Sequence, residues 1–309
     1  MRPTLRQMQY LVAIADTGKF GEAAKVTNVS QPSMSAQIAE MEAQLGAVLI
    51  ERGRQRAFLT PIGEEVVRRA RLILRDAEDL KAVVRAEAQD LTGRIRLGVL
   101  PTIGAYLLPS VTRHLHLDHP DLRLIVREER TIDLERHLHD GLFDTVISTI
   151  EDHADVDHEF LFQEDLWICA APDDPLAQKV GDISLADLRE RTLLTLGYGH
   201  RLNLIIQSLA EVSGAYVNSE YEGTSLDAIR QMAEMGVGIA VFPSLYALTE
   251  ARRDPDLIVR RINDPRASRQ ISLIWRSTSP LSARLRLLAA ELRETAGTIL
   301  HKVDARPKR

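Results

Sequence analysis

The sequence predicts an α/β protein preceded by an all-α-type helical module, and three observations carry that expectation. Residues 20–45, F-G-E-A-A-K-V-T-N-V-S-Q-P-S-M-S-A-Q-I-A-E-M-E-A-Q-L, have the pattern of a helix, a tight turn and a second helix whose first turn is small and polar. Residues 62–91 carry an apolar residue every three or four positions. From residue 94 onward, short alternating segments take turns with amphipathic ones, which is how β-α-β units read. At 309 residues the chain exceeds one ordinary core, so two or three domains are expected.

Leu5, Met8, Leu11, Val12 and Ala15 share one face of a first helix, which Gly18 closes. Phe20, Ala23, Ala24 and Val26 mark a short second helix, and Thr27-Asn28 has turn chemistry. Ser30 fits the N-cap of a third helix, with Pro32 tolerated in its first turn. Met34, Ile38, Met41 and Leu45 bury one face of that helix, and Gly46 ends it. The opposite face carries Pro32 and Ala36, small enough for close approach to a partner. Ser30, Gln31, Pro32, Ser33, Ser35 and Gln37 therefore form a candidate surface for double-stranded DNA, with hydroxyls and amides for phosphates and base edges. An ordinary three-helix surface module would show the same pattern.

Arg52, Arg54 and Arg56 alternate in E-R-G-R-Q-R-A-F-L-T-P. Alternate positions point to one side of a strand, so this stretch reads as a basic hairpin, or wing, lying along a phosphate backbone. A solvated edge strand is the alternative. Next, Ile62, Val66, Ala70, Ile73, Ala77, Leu80, Val84, Ala88 and Leu91 form a narrow seam on a charged helix about 45 Å long. Such a stripe asks for a partner helix and predicts a dimer, against the alternative of packing on its own domain. Leu91-Thr92-Gly93 ends the helix and looks like a hinge.

Beyond the hinge, residues 94–100 alternate as a strand, a helix runs to about His119, and 122–126, 132–139 and 143–150 read as strand, helix, strand. That alternation implies a parallel sheet. A second set covers 166–170, 185–190, 192–196, a helix after His200, a strand near 217–221, a helix over 225–235 and a strand over 239–242. Residues 271–275 are a late strand and 281–301 a closing helix. Two α/β lobes with the chain crossing between them twice make a periplasmic-binding-protein-like architecture, with lobe I about 94–162 and 268–309 and lobe II about 163–267. Its ligand belongs in the cleft at strand-to-helix junctions. Four junctions qualify: Pro101-Thr102, Arg130-Thr131, Gly199-His200-Arg201 and Gly223-Thr224-Ser225. Their free N–H groups suit a small anion such as a carboxylate. Ile103 and Phe242 complete the candidate effector set. Simple N-capping is the alternative for each hydroxyl, and Thr224 has near capping-box spacing to Asp227.

Composition excludes several classes. Apolar residues make up 45% and charged residues 27%, as in soluble globular proteins. Aromatics at 5% are too sparse for a single-strand stacking platform. No apolar run reaches membrane-span length, and Met1-Arg2-Pro3-Thr4-Leu5-Arg6 lacks the apolar core of a signal peptide, so a cytoplasmic protein with no membrane partner is expected. Cys169 is the single cysteine, which precludes an internal disulfide or a Cys-rich zinc site; in L-W-I-C-A-A it reads as a buried structural residue. Net charge is −5, but residues 1–58 hold 7 Lys/Arg against 5 Asp/Glu, and residues 91–309 hold 26 against 32. The asymmetry places any nucleic-acid contact at the N-terminus. An enzyme is not expected, nor a metal or cofactor. The histidines at 114, 116, 119, 137, 139, 153 and 158 lack ligand spacing. G-x-S-x-G and P-loop motifs are absent, and G-V-G-I-A at 236–240 leaves a helix for a strand, opposite to a dinucleotide fingerprint.

Residues 5–63 contain F-x-x-A-A-x-x-x-x-V-S-Q-P-S-M-S-x-Q-I-x-x-M-E-x-Q-L-G-x-x-L-I-E-R and then L-T-P-I-G, in order and without insertions. In these motifs the chain resembles the LysR-type transcriptional regulators. The resemblance implies a winged helix-turn-helix over 1–61, a linker-helix dimer over 62–93 and an effector domain over 94–309. It also implies assembly as a dimer or homotetramer on an inverted-repeat operator, with RNA polymerase as a further partner. Within the family, L-G-V-L-P-T-I-G-A-Y-L-L-P-S, L-G-Y-G-H-R-L and G-T-S-L-D-A-I-R-Q-M look most like the OxyR branch of peroxide sensors, and the VtlR/LsrB group is a home consistent with that. Thr102, Thr131 and His200 fall on positions that in OxyR surround the reactive cysteine. Arg201 occupies that cysteine's own position, and Ala210 that of its disulfide partner.

A peroxide switch needs a thiolate, so this departure redirects the mechanism. The expectation is that Arg201 makes the inherited pocket an anion receptor through a charge-assisted contact. Lobe closure around the effector then changes the spacing of paired recognition helices. In the rival mechanism Arg201 pairs with a cleft carboxylate and holds one state without ligand. A regulator that is ligand-independent, or thiol-responsive through Cys169, is the further alternative.

Overall fold

The computed structural model describes residues 2–53, 56–85, 91–218, 225–254 and 257–304. Two compact units divide the chain, Met1–Ala88 with His139–Leu142, and Gln89–Leu138 with Phe143–Arg309.

The first unit is a winged helix-turn-helix. Helix α1 (Leu5–Thr17) starts at a capping box. The Thr4 hydroxyl accepts from the Gln7 N–H at 3.2 Å, while Gln7 Oε1 accepts from the Thr4 N–H at 2.9 Å. Helix α2 (Phe20–Val26) follows the left-handed Gly18, and Asn28 takes φ +54° in the turn that reverses the chain. Helix α3 (Gln31–Leu45) is capped by Ser30, whose Oγ accepts from the Ser33 N–H at 3.3 Å, and ends at Gly46 with φ +68°. Leu11, Ile14, Met34, Ile38 and Met41 are buried between the three helices. Strands β1 (Ile50–Arg52) and β2 (Ala57–Leu59) pair antiparallel as the wing. Glu42 ties it to α3 by accepting from the N–H groups of Leu49 and Ile50 at 2.8 and 3.1 Å.

Helix α4 (Pro61–Arg85) packs against the wing by its first turn. A Cβ on Gly63 would lie 2.1 Å from the Leu49 carbonyl oxygen, so only glycine permits this approach. Of the expected seam, Ala70 is buried while Ile62 and Ile73 are 49% and 42% exposed; Val67, off the seam, is the position that enters the core. Residues 86–90 lie outside the described residues. The expected continuation to Leu91 does not hold at its end: Leu91 and Thr92 are not helical, and Gly93, with φ +79°, already opens a strand.

The second unit holds two lobes of alternating strands and helices. Its elements are β3 (Gly93–Val99), α5 (Pro101–Asp118), β4 (Leu122–Glu128), α6 (Thr131–His139), β5 (Thr145–Ser148) and β6 (Val156–Cys169). After these come α7 (Pro175–Gln178), β7 (Thr192–Leu194), α8 (Arg201–Ser213), β8 (Tyr216–Val217), α9 (Leu226–Glu234), β9 (Ile239–Pro243), α10 (Ser244–Arg253), β10 (Val259–Arg261), β11 (Ser268–Arg276) and α11 (Ser282–Asp304). Short 3-10 turns lie at Ile150–Asp152 and Leu185–Leu188. Among the described residues the strand order is β4-β3-β5-β11-β6-β9-β7-β8, with β10 beside β6. Strands β4, β3 and β5 run parallel, as do β9, β7 and β8. The parallel pairing expected from the β-α-β alternation thus holds within each lobe, while the sheet as a whole is mixed. The chain crosses between lobes on β6 and returns on β11, and these two pair antiparallel with each other and with their flanking strands β9 and β5.

Each lobe has its own buried core. Ile95, Leu97, Val99, Leu107, Leu134 and Trp275 belong to one; Ile168, Leu193, Ile206, Ile229, Val241 and Phe242 belong to the other. Where β6 and β11 cross between them, Arg269 faces Glu164 in register. Both are buried, the guanidinium bonding Glu164 Oε2 from Nε at 2.9 Å and Nη2 at 2.7 Å. Glu164 Oε1 accepts from the Leu245 N–H at the start of α10, and Arg269 Nη2 donates to Thr102 at the start of α5. One ion pair thus anchors two helix N-termini at the crossing point.

Candidate functional site

Two surfaces carry the expected chemistry, one in each unit. In the first, α3 presents Gln31, Pro32, Ser33 and Ala36 to solvent, opposite the buried Met34, Ile38 and Met41. The Pro32 ring suits the first turn, where a backbone N–H has no partner to lose. Ser30 is exposed but spends its hydroxyl on the cap, Ser35 is half-buried with an internal partner, and the Gln37 amide donates to Glu40 at 3.2 Å. In the wing, the Gly53 N–H donates to the Arg56 carbonyl at 3.0 Å, and Arg56 is exposed. Arg54 and the Arg52 side chain lie outside the described residues.

The second surface is the cleft between the lobes, centred on Arg201 at the start of α8. Its backbone N–H donates to Thr131 Oγ1 at 3.1 Å, and the neighbouring Ile132 N–H donates to the Gly199 carbonyl at 3.4 Å. Helices α6 and α8 thus meet by their N-terminal ends. Gly199 has φ +90°, and a Cβ there would come within 3.1 Å of the Ile132 side chain, so the approach and the backbone angle both call for glycine. The Arg201 guanidinium reaches the 3-10 turn of the other lobe: Nη1 sits 2.9 Å from Asp152 Oδ1. Asp152 also accepts from the Thr149 hydroxyl.

Arg201 lies between two cavities. One, of about 420 Å³, is walled by Thr131, His200, Glu135, Glu151 and Asp152, with Ile132, Tyr198 and Leu204 adding apolar surface. The other, of about 300 Å³, is more basic: Arg266 and Arg269 join Arg201, with Glu151 and the hydroxyls of Thr149, Ser208 and Ser268. His200, half-buried, has its pKa depressed, first by burial and then by the Arg130 and Arg269 guanidinium groups, with Asp133 opposing. Its imidazole is neutral at pH 7.

Of the expected effector residues, Thr131, His200 and Arg201 meet at the cleft; none of the other described ones lines either cavity. Pro101 opens α5 and Thr102 is drawn to the Arg269 guanidinium. Ile103 and Phe242 are both 0% exposed in the two cores, because their positions on α5 and β9 face the sheet interior. Ser225 caps α9 through the Ala228 N–H at 3.3 Å. Thr224 lies outside the described residues. Cys169 is fully buried in the second core, and burial pushes its thiol up to about 12, so it is an inert packing group at neutral pH. The sequence did not single out Asp152, Glu135, Glu151 or the Glu164–Arg269 pair. Among the described residues no group of three His, Cys, Asp or Glu side chains is placed to hold a metal, and no helix is long and apolar enough to cross a membrane.

The bacterial regulatory helix-turn-helix protein, lysR family, matches residues 5–64, and the LysR substrate binding domain matches residues 88–297. The DNA-binding transcriptional dual regulator OxyR of Escherichia coli K12 is 33% identical over 290 residues, 94% of this chain and 94% of that one. A full-length OxyR variant from Pseudomonas aeruginosa, 29% identical, superposes with a TM-score of 0.77 over 94% of this chain and 98% of that chain. An H2O2-bound OxyR mutant from Corynebacterium glutamicum, 30% identical, gives 0.66 over 99% and 98%.

Proposed function

This chain belongs to the LysR family of DNA-binding transcriptional regulators, and on that premise we propose that a small anionic effector at Arg201, rather than cysteine oxidation, controls it. The observation that supports this is the Arg201–Asp152 ion pair beside an open cavity. Where the resembling sensors have a reactive cysteine, this chain has a cation held by a single carboxylate. An effector carboxylate that takes Asp152's place releases the contact between α8 and the 3-10 turn, and with it one restraint on lobe position. The same ion pair also favours the rival mechanism, in which Arg201 and Asp152 hold one state without any ligand.

Calorimetry with a panel of small organic acids separates the two. Binding to the wild type, weakened at least tenfold in Arg201→Ala, is the expected result. Failure of every acid in the panel, amino acids included, to bind either protein refutes the receptor. The rival is supported instead if Arg201→Ala alters the DNA complex with no acid present.

On the output side, Gln31, Pro32 and Ser33, with Ser30, Ser35 and Gln37 around them, face the bases and phosphates of an inverted repeat, and Arg52, Arg54 and Arg56 follow the backbone. The exposed Ile62 and Ile73 support a dimer through α4, from which a tetramer can assemble. Residues 1–61, 62–93 and 94–309 are then reader, linker and sensor, acting in the cytoplasm, with RNA polymerase as a contact at the promoter. Retardation of an inverted-repeat duplex tests the reader: Arg56→Ala lowers the salt dependence of binding by roughly one released counterion.

A further inference from the structure

The cavity beside Arg201 holds more negative charge than an acid-binding site should. Glu135 on α6, Glu151 in the 3-10 turn and Asp152 all line it, opposed by the guanidinium of Arg201. Asp152 already satisfies that guanidinium. The Glu135 and Glu151 side chains, in contrast, make no hydrogen bond or ion pair among the described residues. Nor does His200 offset them, because burial and Arg130 keep its imidazole neutral. A ligand bearing a carboxylate alone would free Asp152 and add a fourth negative group around one cation. Like charges gathered around one ligand oppose its binding.

An ammonium group on the same ligand removes that opposition. It donates to Glu135 and Glu151, while the carboxylate takes the Arg201 guanidinium. The same wall carries apolar surface from Ile132, Leu204 and Tyr198, which are 43%, 56% and 75% exposed. An apolar body joining the two charged ends covers that surface. A volume of about 420 Å³ lies within the range of small-molecule sites.

We propose that the effector is a small zwitterion, an apolar amino acid or a kindred ammonium carboxylate, with Glu135 and Glu151 as the residues that select its amine. This rests on Arg201 as the anion contact argued above. The test uses matched probes on the full chain by calorimetry: L-valine, L-leucine and L-phenylalanine, each beside the acid lacking its amine and the amine lacking its carboxylate. At least one amino acid binds, and its acid and amine counterparts bind at least tenfold more weakly. The Glu135→Gln/Glu151→Gln variant loses at least tenfold for the amino acid but not for the acid, whereas Arg201→Ala weakens both. All these positions are exposed or half-buried polar side chains, and an unchanged thermal midpoint certifies the variants. If an acid binds as tightly as its amino acid and in an Arg201-dependent way, the zwitterion falls and the anion receptor stands. Equal binding of the bare amine, or of none of the three amino acids, also overturns the zwitterion. Silence from every probe sinks both.

Discussion

Removing the Arg269 guanidinium leaves Glu164, 0% exposed, as a buried carboxylate with only the Leu245 N–H and no cation. Breaking a buried ion pair from one side costs about 3–5 kcal/mol, because the remaining charge has lost its compensation. For a unit of this size each kcal/mol lowers the unfolding midpoint by roughly 2–4 °C, so Arg269→Ala is expected to fall by about 6–20 °C. The assay can be confined to the second unit, because both tryptophans, Trp167 and Trp275, belong to it and their fluorescence reports its melting alone. Replacing both partners, as Arg269→Met with Glu164→Met, removes the buried charge altogether and restores most of the loss. The bond to the Leu245 N–H is then missing, which leaves a deficit of about 1 kcal/mol. A shift of only a degree or two in Arg269→Ala, or a double variant as unstable as the single one, would refute the role assigned to this pair.

Three further substitutions follow from the geometry. Gly63→Ala forces a Cβ onto the Leu49 carbonyl and is expected to destabilise the first unit by about 1–3 kcal/mol, despite alanine's better helix propensity, with a matching loss in DNA retardation; a stabilised protein contradicts the close approach. Because the folded pKa of His200 lies below its unfolded value, the group is neutral in both states above pH 6.5, and stability falls as the pH drops below that, where the unfolded chain takes up the proton first. The loss is about 1.4 kcal/mol per unit of depression, and urea titrations from pH 7.5 to 5 are expected to show a steeper decline in wild type than in His200→Asn. With its thiol held up at about 12, Cys169 is expected to alkylate at pH 8 on the order of a thousandfold more slowly in the native than in the unfolded chain. Peroxide treatment is expected to leave DNA retardation of the wild type unchanged, and an altered complex would restore a redox mechanism.

The ends of the helical module were legible because their signals are local: Ser30, Gly18 and Gly46 each bond within four positions. Its buried faces were legible only in part, since Leu5, Val26 and Leu45, expected inside, are 47%, 65% and 41% exposed. The cleft was legible only in part. Arg201 could be found from its position at a helix start, but its partner Asp152 lies 49 residues away in E-D-H-A-D, a stretch that looks like solvated loop. Strand β6 begins ten residues before the expected 166 because D-H-E-F-L-F-Q-E-D runs in blocks of three polar, three apolar and three polar residues, which hides the two-residue period of a strand. Helix α10 was missed in S-L-Y-A-L-T-E-A-R-R, where Leu245, Tyr246, Ala247 and Leu248 are all buried, erasing the amphipathic period. Ile103 and Phe242 went astray for a related reason: sequence proximity to a junction does not say which way a side chain turns, and a neighbour one position along faces the opposite side.

The return crossing of β11 also has a consequence for synthesis. Lobe II is built from one continuous stretch, but β5 in lobe I needs β11 on its open side, and Thr145 bonds Ile274 across 129 positions. At roughly 5–20 residues per second, about 6–26 s pass between the appearance of the two strands. During that interval Val146 and Ile147, both fully buried in the finished protein, stand on an unpaired sheet edge beside a growing chain. The nascent protein thus completes its second lobe before its first, and its most adhesive moment falls while the ribosome is still translating the interior of lobe II.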